Sequence, residues 1–260
     1  MKYQNISIIG SGNVATHLAL KLKNAGHKIL DIYSRKIINA EKLANKVASN
    51  AINDISKINT ESDIILICVS DKAISEITNQ INFEPKLIAH TAGSISIKEL
   101  ARFNNHGVFY PFQTLTKNSE ITTGDIPFCI EANSSENETT LLNLAKSISD
   151  RVMLLASDQR KTCHLAAVFA CNFTNHMYAI AEDILQQHHI PFDILKPLIL
   201  ETAQKVQNHS PLLSQTGPAS RNDVNVMKQH QSELSSVHLE KMYSFVSESI
   251  IELKKRTDKQ

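Results

Sequence analysis

The sequence has no excess of either charge: 27 Lys and Arg stand against 26 Asp and Glu, a formal net charge of +1 over 260 residues. A chain so balanced lacks the basic surface needed to wrap nucleic acid or coat an anionic membrane. No apolar run approaches a bilayer-spanning length. Residues Met1 to Ile9 carry no basic stretch followed by a long apolar one, so no secretory signal is expected. The expectation is a soluble, cytoplasmic protein. Cysteine is sparse and unpaired: Cys68, Cys129, Cys163 and Cys171 form no C-x-x-C and sit in apolar segments. They read as buried free thiols of a reducing compartment. No two of the 11 histidines stand at i, i+4, the spacing that puts two ligands on one helical face, so no metal site is expected.

Glycine is scarce as well, and its distribution is informative. There are seven, two of them at Gly10 and Gly12, and none between Gly124 and Gly217. The first part of the chain alternates short apolar runs with helical patterns. Asn5 to Ile9 reads as a strand, Asn13 to Ala25 as a helix closed by Gly26, and His27 to Tyr33 as a second strand. Ala40 to Val47 is helical. Asp63 to Val69 is a nearly continuous apolar run, the mark of a strand buried on both faces. A helix over Asp71 to Gln80, capped by Asp71, leads to a strand over Lys86 to Thr91. Shorter strands are expected at Val108 to Tyr110, Phe128 to Glu131 and Val152 to Leu155, with a helix over Ser135 to Ser149. This alternation predicts an α/β fold, a doubly wound parallel sheet. From Asp158 the pattern turns helical. Asp158 to Gln187 has no Pro or Gly and spaces its apolar residues for a single helix of about 45 Å. Further helices are expected at Pro197 to Asn208, Asp223 to Ser235 and Val237 to Lys255. Two domains follow, 1–156 and 157–260, with the boundary near Leu155 to Asp158.

Ile6 to Ala15 combines a strand, a glycine turn and a helix start, and fits G-x-G-x-x-[GA]. Gly10 permits the tight turn, Gly12 lets a pyrophosphate approach the backbone, and Ala15 lets helix pack on strand. Ser11, Asn13 and Val14 complete the turn and the helix N-terminus, where unpaired N–H groups favour anions. The motif therefore predicts a Rossmann-type dinucleotide site. The second strand ends in Tyr33-Ser34-Arg35. A hydroxyl and a guanidinium at that tip suit the 2′-phosphate of NADP. Asp31, the candidate ribose carboxylate of an NAD site, lies deeper and faces the side opposite Ser34.

Six motifs recur in order along the chain: Gly10 to Ala15, Tyr33-Ser34-Arg35, Val69-Ser70-Asp71, His90-Thr91-Ala92-Gly93-Ser94, Tyr110 to Thr114 and Thr216 to Asp223. Together they resemble a family of bacterial Rossmann-like NADP oxidoreductases that carry a C-terminal domain of unknown function. That family is similar to pyrroline-5-carboxylate reductase, 6-phosphogluconate dehydrogenase and the deazaflavin-dependent NADP reductases. The resemblance implies an NADP-binding domain followed by an all-helical, 6-phosphogluconate-dehydrogenase-like domain that forms a homodimer. It does not supply a substrate. Where the dehydrogenase relatives have Lys and Asn one turn apart, this chain has Lys161 and Leu165, a departure from a hydroxyacid-dehydrogenase mechanism.

Ligands of open α/β sheets bind beyond the carboxyl ends of the strands. Val69, Ser70 and Thr91 are therefore expected along the cofactor path, with Ser94 available to a ribose or substrate and His90 as a core histidine. On one α-helix, His164, Val168, Cys171, Asn172 and Asn175 would share a stripe. His164 would be the proton relay and Asn172 the group that orients a carbonyl or imine. Arg221, at the tip of the loop Thr216 to Asp223, would clamp a substrate anion; Gln113 is a further polar contact. The expected activity is hydride transfer to or from a small carbonyl, imine or hydroxy substrate. The alternatives are a non-catalytic dinucleotide sensor and electron exchange between NADP and a deazaflavin.

Overall fold

The computed structural model describes residues 3–117 and 125–257. Its centre is an eight-stranded sheet: β1 (Asn5–Ile9), β2 (Lys28–Tyr33), β3 (Asn50–Ile52), β4 (Ile64–Ile67), β5 (Ile88–His90), β6 (His106–Pro111), β7 (Phe128–Ala132) and β8 (Val152–Leu154). The spatial order is β3-β2-β1-β4-β5-β6-β7-β8, so the strand order reverses at β1. Strands β1 to β6 pair in parallel. The expected sheet is thus present, mostly parallel rather than wholly so: β7 runs antiparallel to β6, and β8 is parallel to β7. A parallel return needs a crossover, usually a helix, and the sequence between Pro111 and Phe128 has no helical period.

The sheet is covered on both faces. The β4 residues alternate: Ile64 and Leu66 enter one core with helices α1 (Asn13–Asn24), α2 (Ile37–Val47) and α4 (Ser135–Lys146). Ile65 and Ile67 enter the other core with α3 (Ile74–Gln80). All four are buried, each at about 2 kcal/mol of transfer free energy. This is why the run DIILICV reads without alternation. Strand β3 is the element without a sequence signal, because its three residues are only half covered. Cys68 and Cys129 are buried, but Cys163 is intermediate and Cys171 exposed, so the expectation of four buried thiols holds for two.

The expected long helix over Asp158 to Gln187 is not one α-helix. It comprises α5 (Ser157–Ala167), a π-helical turn Val168–Phe173, and α6 (Thr174–Gln187). The Thr174 hydroxyl donates to the Phe169 carbonyl five residues back. A π turn takes up roughly one extra residue. Residues spaced for a 3.6-residue period across it therefore do not stay on one stripe, and the alignment of His164 with Asn172 and Asn175 is lost.

The chain divides into two compact units, Met1–His176 and Met177–Gln260. Helix α5 goes with the sheet because its first turns are anchored there. Arg160 is 0% exposed. Its guanidinium pairs with Glu131 of β7 and donates to the Ile95 carbonyl. Ser157 donates to the same carboxylate at 2.8 Å and accepts from the Ile97 N–H at 3.0 Å. The second unit holds the rest of α6, then α7 (Lys196–Asn208), α8 (Val224–Glu233) and α9 (Val237–Thr257). Asp223 caps α8 through the Val226 N–H. Among the described residues from 177 to 256, only Ala219 and Ser220 are buried. No described helix is long and apolar enough to cross a membrane.

Removing one partner of a buried ion pair strands the other. Arg160→Met should therefore cost about 3 kcal/mol of stability, measured as a fall in the urea midpoint at constant slope. A midpoint unchanged from wild type would show that the pair contributes nothing net.

Candidate active site

The glycine turn joins β1 to α1 at the carboxyl edge of the sheet. Gly10 has φ +130°, and a methyl there would lie 2.2 Å from the Cys68 carbonyl oxygen. Only glycine fits. Gly12 is different: nothing lies within 4 Å of where its Cβ would be. Packing does not require a glycine at this position, and the open space above the helix N-terminus is what an anionic ligand would fill. Ala15 is fully buried beneath the turn. Ser11 donates its hydroxyl to Ser34 at 3.0 Å, tying the turn to the tip of β2.

A cleft of about 240 Å³ opens here. Of the expected cofactor residues, Gly10, Ser11, Gly12, Ser34, Arg35, Val69 and Ser70 line it. Asn13 and Val14 stand beside it on the first turn of α1, exposed and half-buried respectively. Thr91 is buried and donates its hydroxyl to the Ile67 carbonyl. The cleft also holds Tyr33, Glu76, Ile77 and Gln80. The last three share one face of α3 at helical spacing, a signal available in the sequence and not used there. Arg35 is exposed and takes part in none of the ion pairs among the described residues. Asp31 is spent inside the fold. It accepts from Ser7 Oγ at 2.8 Å, the Asn59 N–H at 2.9 Å and Asn50 Nδ2 at 3.3 Å. These residues fit a dinucleotide: open backbone where phosphates would sit, and a free cation with a hydroxyl at the adenosine end.

Further along the same edge, beyond β4, β5 and β6, lies a second group of polar side chains. The phenol of Tyr110, in β6, is 3.1 Å from Nδ1 of His164 in α5, and the two rings meet edge-on. Both lie against Gly93, where a methyl would come within 2.7 Å of Tyr110 Cζ and 2.8 Å of His164 Nδ1. Burial, then the neighbouring Cys129 and Asp71, pushes the Tyr110 phenol up to about 12, so it is neutral at physiological pH. Ser94 donates to the Asp71 carboxylate. Asp71 thus does not cap the following helix through its side chain, as its position suggested.

Of the expected catalytic residues, His164 joins this group. Asn172 lies in the π turn and is exposed. Arg221 is exposed in the second unit, in the turn Ala219–Arg221. Gln113 is exposed and accepts from the Thr114 N–H. Sequence reasoning had Ser94 as a polar contact but missed its pairing with Asp71, and missed Tyr110 and Gly93 as members of this group. Tyr110 and His164 stand 54 residues apart, and only the fold brings them together. No cluster of three or more His, Cys, Asp or Glu residues suited to a metal occurs among the described residues.

His90 is a core histidine. Nδ1 accepts from the Ala92 N–H at 3.2 Å, and Nε2 faces the Ser96 carbonyl at 3.4 Å. Burial, followed by the Arg160 charge, lowers it to about 4 from 6.5. Between those values the unfolded chain binds a proton that the folded protein excludes. Stability is therefore full above pH 6.5 and is lost as pH falls towards 4, by up to about 3 kcal/mol. The urea midpoint should drop through this window, and His90→Gln should flatten that slope. An unaltered slope would assign the effect elsewhere.

Comparison with known proteins gives two family matches. Residues 5–93 match NADP oxidoreductase coenzyme F420-dependent, and residues 126–250 match a domain of unknown function, DUF2520. Among solved structures, a Bacteroides fragilis protein provisionally named NADP oxidoreductase is 41% identical, with TM-score 0.91, covering 96% of this chain and 98% of its own. A Thermotoga maritima protein is 20% identical with TM-score 0.80, over 96% of this chain and 99% of that one. The 1-pyrroline-5-carboxylate reductase of Streptococcus pyogenes shares the fold at 16% identity and TM-score 0.63, over 97% and 99% of the two chains. A glutamyl-tRNA reductase of Sulfolobus acidocaldarius is 34% identical over 84 residues, 32% of this chain; the match spans only 19% of that protein.

Proposed function

The chain belongs to the family of the Bacteroides fragilis NADP oxidoreductase, and we propose that it is an NADP-dependent oxidoreductase acting on a small carbonyl, imine or hydroxy substrate. The observation that carries the cofactor choice is the tip of β2. Asp31 is consumed by three internal hydrogen bonds, while Arg35 stands free beside Ser34 at the cleft. A free guanidinium and a hydroxyl favour a 2′-phosphate; a ribose 2′-OH would need the carboxylate that is missing. Gly10, Ser11, Gly12, Asn13 and Val14 would hold the pyrophosphate, with Val69, Ser70 and Thr91 further along the path.

When bound, the nicotinamide supplies or accepts the hydride. The chain provides the proton and the orientation. A neutral His164 that accepts from Tyr110 at Nδ1 carries its own proton on Nε2, free to serve the substrate. Asn172 and Arg221 are the further substrate contacts in this reading, as orienter and anion clamp. Residues 1–156 would bind the cofactor and 157–260 dimerise. Support for a homodimer comes from the apolar side chains exposed in the second unit, among them Leu213 at 80% and Phe245 at 74%. A fold rarely leaves such a surface uncovered.

Calorimetric titration with NADPH and NADH tests the cofactor. NADPH should bind at micromolar concentration with NADH much weaker, and Arg35→Ala should lose about tenfold in NADPH affinity. Gly12→Ala should weaken binding without lowering the melting temperature, because no protein atom meets the added methyl. Binding of neither cofactor would remove the basis of this reading. In sedimentation equilibrium at micromolar concentration the mass should be twice 29.0 kDa; a monomer would refute the dimer.

A further inference from the structure

The polar group beyond β4, β5 and β6 carries a net charge, and its sign restricts the substrate. Tyr110 is neutral, and His164 makes its bond to it at 3.1 Å. The backbone of residues 93–94 links this pair to a carboxylate. Gly93 packs against both rings, and Ser94 holds Asp71. Asp71 is exposed, so a ligand can reach it, and its field is felt at the Tyr110 phenol. At that phenol the Arg160 charge acts in the opposite sense but counts for less than Asp71. Arg160, the buried cation of this region, has its charge met by Glu131, and Asp71 takes part in none of the ion pairs among the described residues.

Building on the oxidoreductase reading above, we propose that the reaction takes place at a carbon–nitrogen bond: a protonated imine is reduced to an amine, or the amine oxidised in reverse, with Asp71 facing the cationic nitrogen. Charge development distinguishes the two kinds of bond. Hydride addition to a ketone builds negative charge on oxygen, which a nearby carboxylate opposes. Addition to an iminium consumes a positive charge already present, and the carboxylate favours the protonated form that accepts hydride. The balance is simple. The imine nitrogen takes one proton, from His164 or water. Hydride from a bound reduced nicotinamide would add to the imine carbon, and the C=N π pair would become the nitrogen lone pair. The products are the oxidised dinucleotide and the amine.

The test uses the 260-residue chain saturated with NADP⁺, titrated near neutral pH with matched pairs of probes: pyrrolidine against tetrahydrofuran, and piperidine against tetrahydropyran. The amine of each pair is cationic and the ether neutral at nearly the same shape. The amines should bind about tenfold tighter. The preference should vanish in Asp71→Asn, which keeps an acceptor for Ser94, and return in part in Asp71→Glu, with NADP⁺ affinity unchanged in both. In turnover with NADPH, 2-methyl-1-pyrroline should be reduced in preference to cyclopentanone. Equal affinity for amine and ether, no amine binding by a complex that holds NADP⁺, or a preference that survives Asp71→Asn would each overturn the proposal. Failure to bind NADP⁺ at all is seen before any probe is added, and would remove the cofactor reading from which this one starts.

Discussion

The buried guanidinium of Arg160 is the joint on which the chemical end of the site depends. It reaches a carboxylate on β7, a carbonyl in the segment after β5, and the hydroxyl of Ser157 at the start of its own helix. Three separate stretches of chain are thereby fixed to α5. His164 stands four residues beyond Arg160, one turn along the helix and on the same side. The ion pair that seats the helix therefore also aims the imidazole at Tyr110. A charge buried to this depth is costly unless fully met, and Arg160 Nε has no partner. Well-packed apolar side chains in place of both Arg160 and Glu131 would stabilise the fold at least as well. What the ion pair adds is direction: a guanidinium has a fixed fork and accepts few geometries, whereas apolar packing would tolerate rotation of α5 about its axis.

That division explains which parts of the molecule were legible in the sequence. Period and composition report burial, so β1, β2, β4 and the amphipathic helices could be read directly, and β3, half covered and three residues long, could not. The glycine turn was legible because its constraint is local: Gly10 must take a positive φ against the Cys68 carbonyl. The placement of Asp31 on the face away from Ser34 followed from strand alternation alone. What period cannot report is who meets whom across the fold. Tyr110 with His164, and Ser94 with Asp71, are pairings of distant residues, and each side chain alone has an ordinary alternative role. Asp71 looked like a helix cap because caps are the common use of Asp in that position. The π turn was invisible for another reason: Val168 to Phe173 has a composition equally suited to an α-helix, so the extra residue leaves no mark in the pattern.

The two ends of the site differ in the sign of their charge, and the sheet sets the order. Along its carboxyl edge the sequence of strands β2, β1, β4, β5, β6 places Arg35 first, then the glycine turn, then Ser70 and Asp71, then Gly93 and Ser94, and Tyr110 last. Adjacent strands lie about 4.8 Å apart, so the four steps from β2 to β6 span roughly 19 Å. On the proposed reading, a cation stands where the 2′-phosphate of the dinucleotide would lie, and a carboxylate nearer to where its reactive ring would meet a substrate. The two charges stand closer than the full span: Arg35 follows β2 and Asp71 follows β4, two strand steps or roughly 10 Å apart, about one Debye length. In the reading proposed above, Arg35 would face the cofactor and Asp71 the substrate. The two residues sit on different loops of the same sheet, so either can be substituted without displacing the backbone that carries the other.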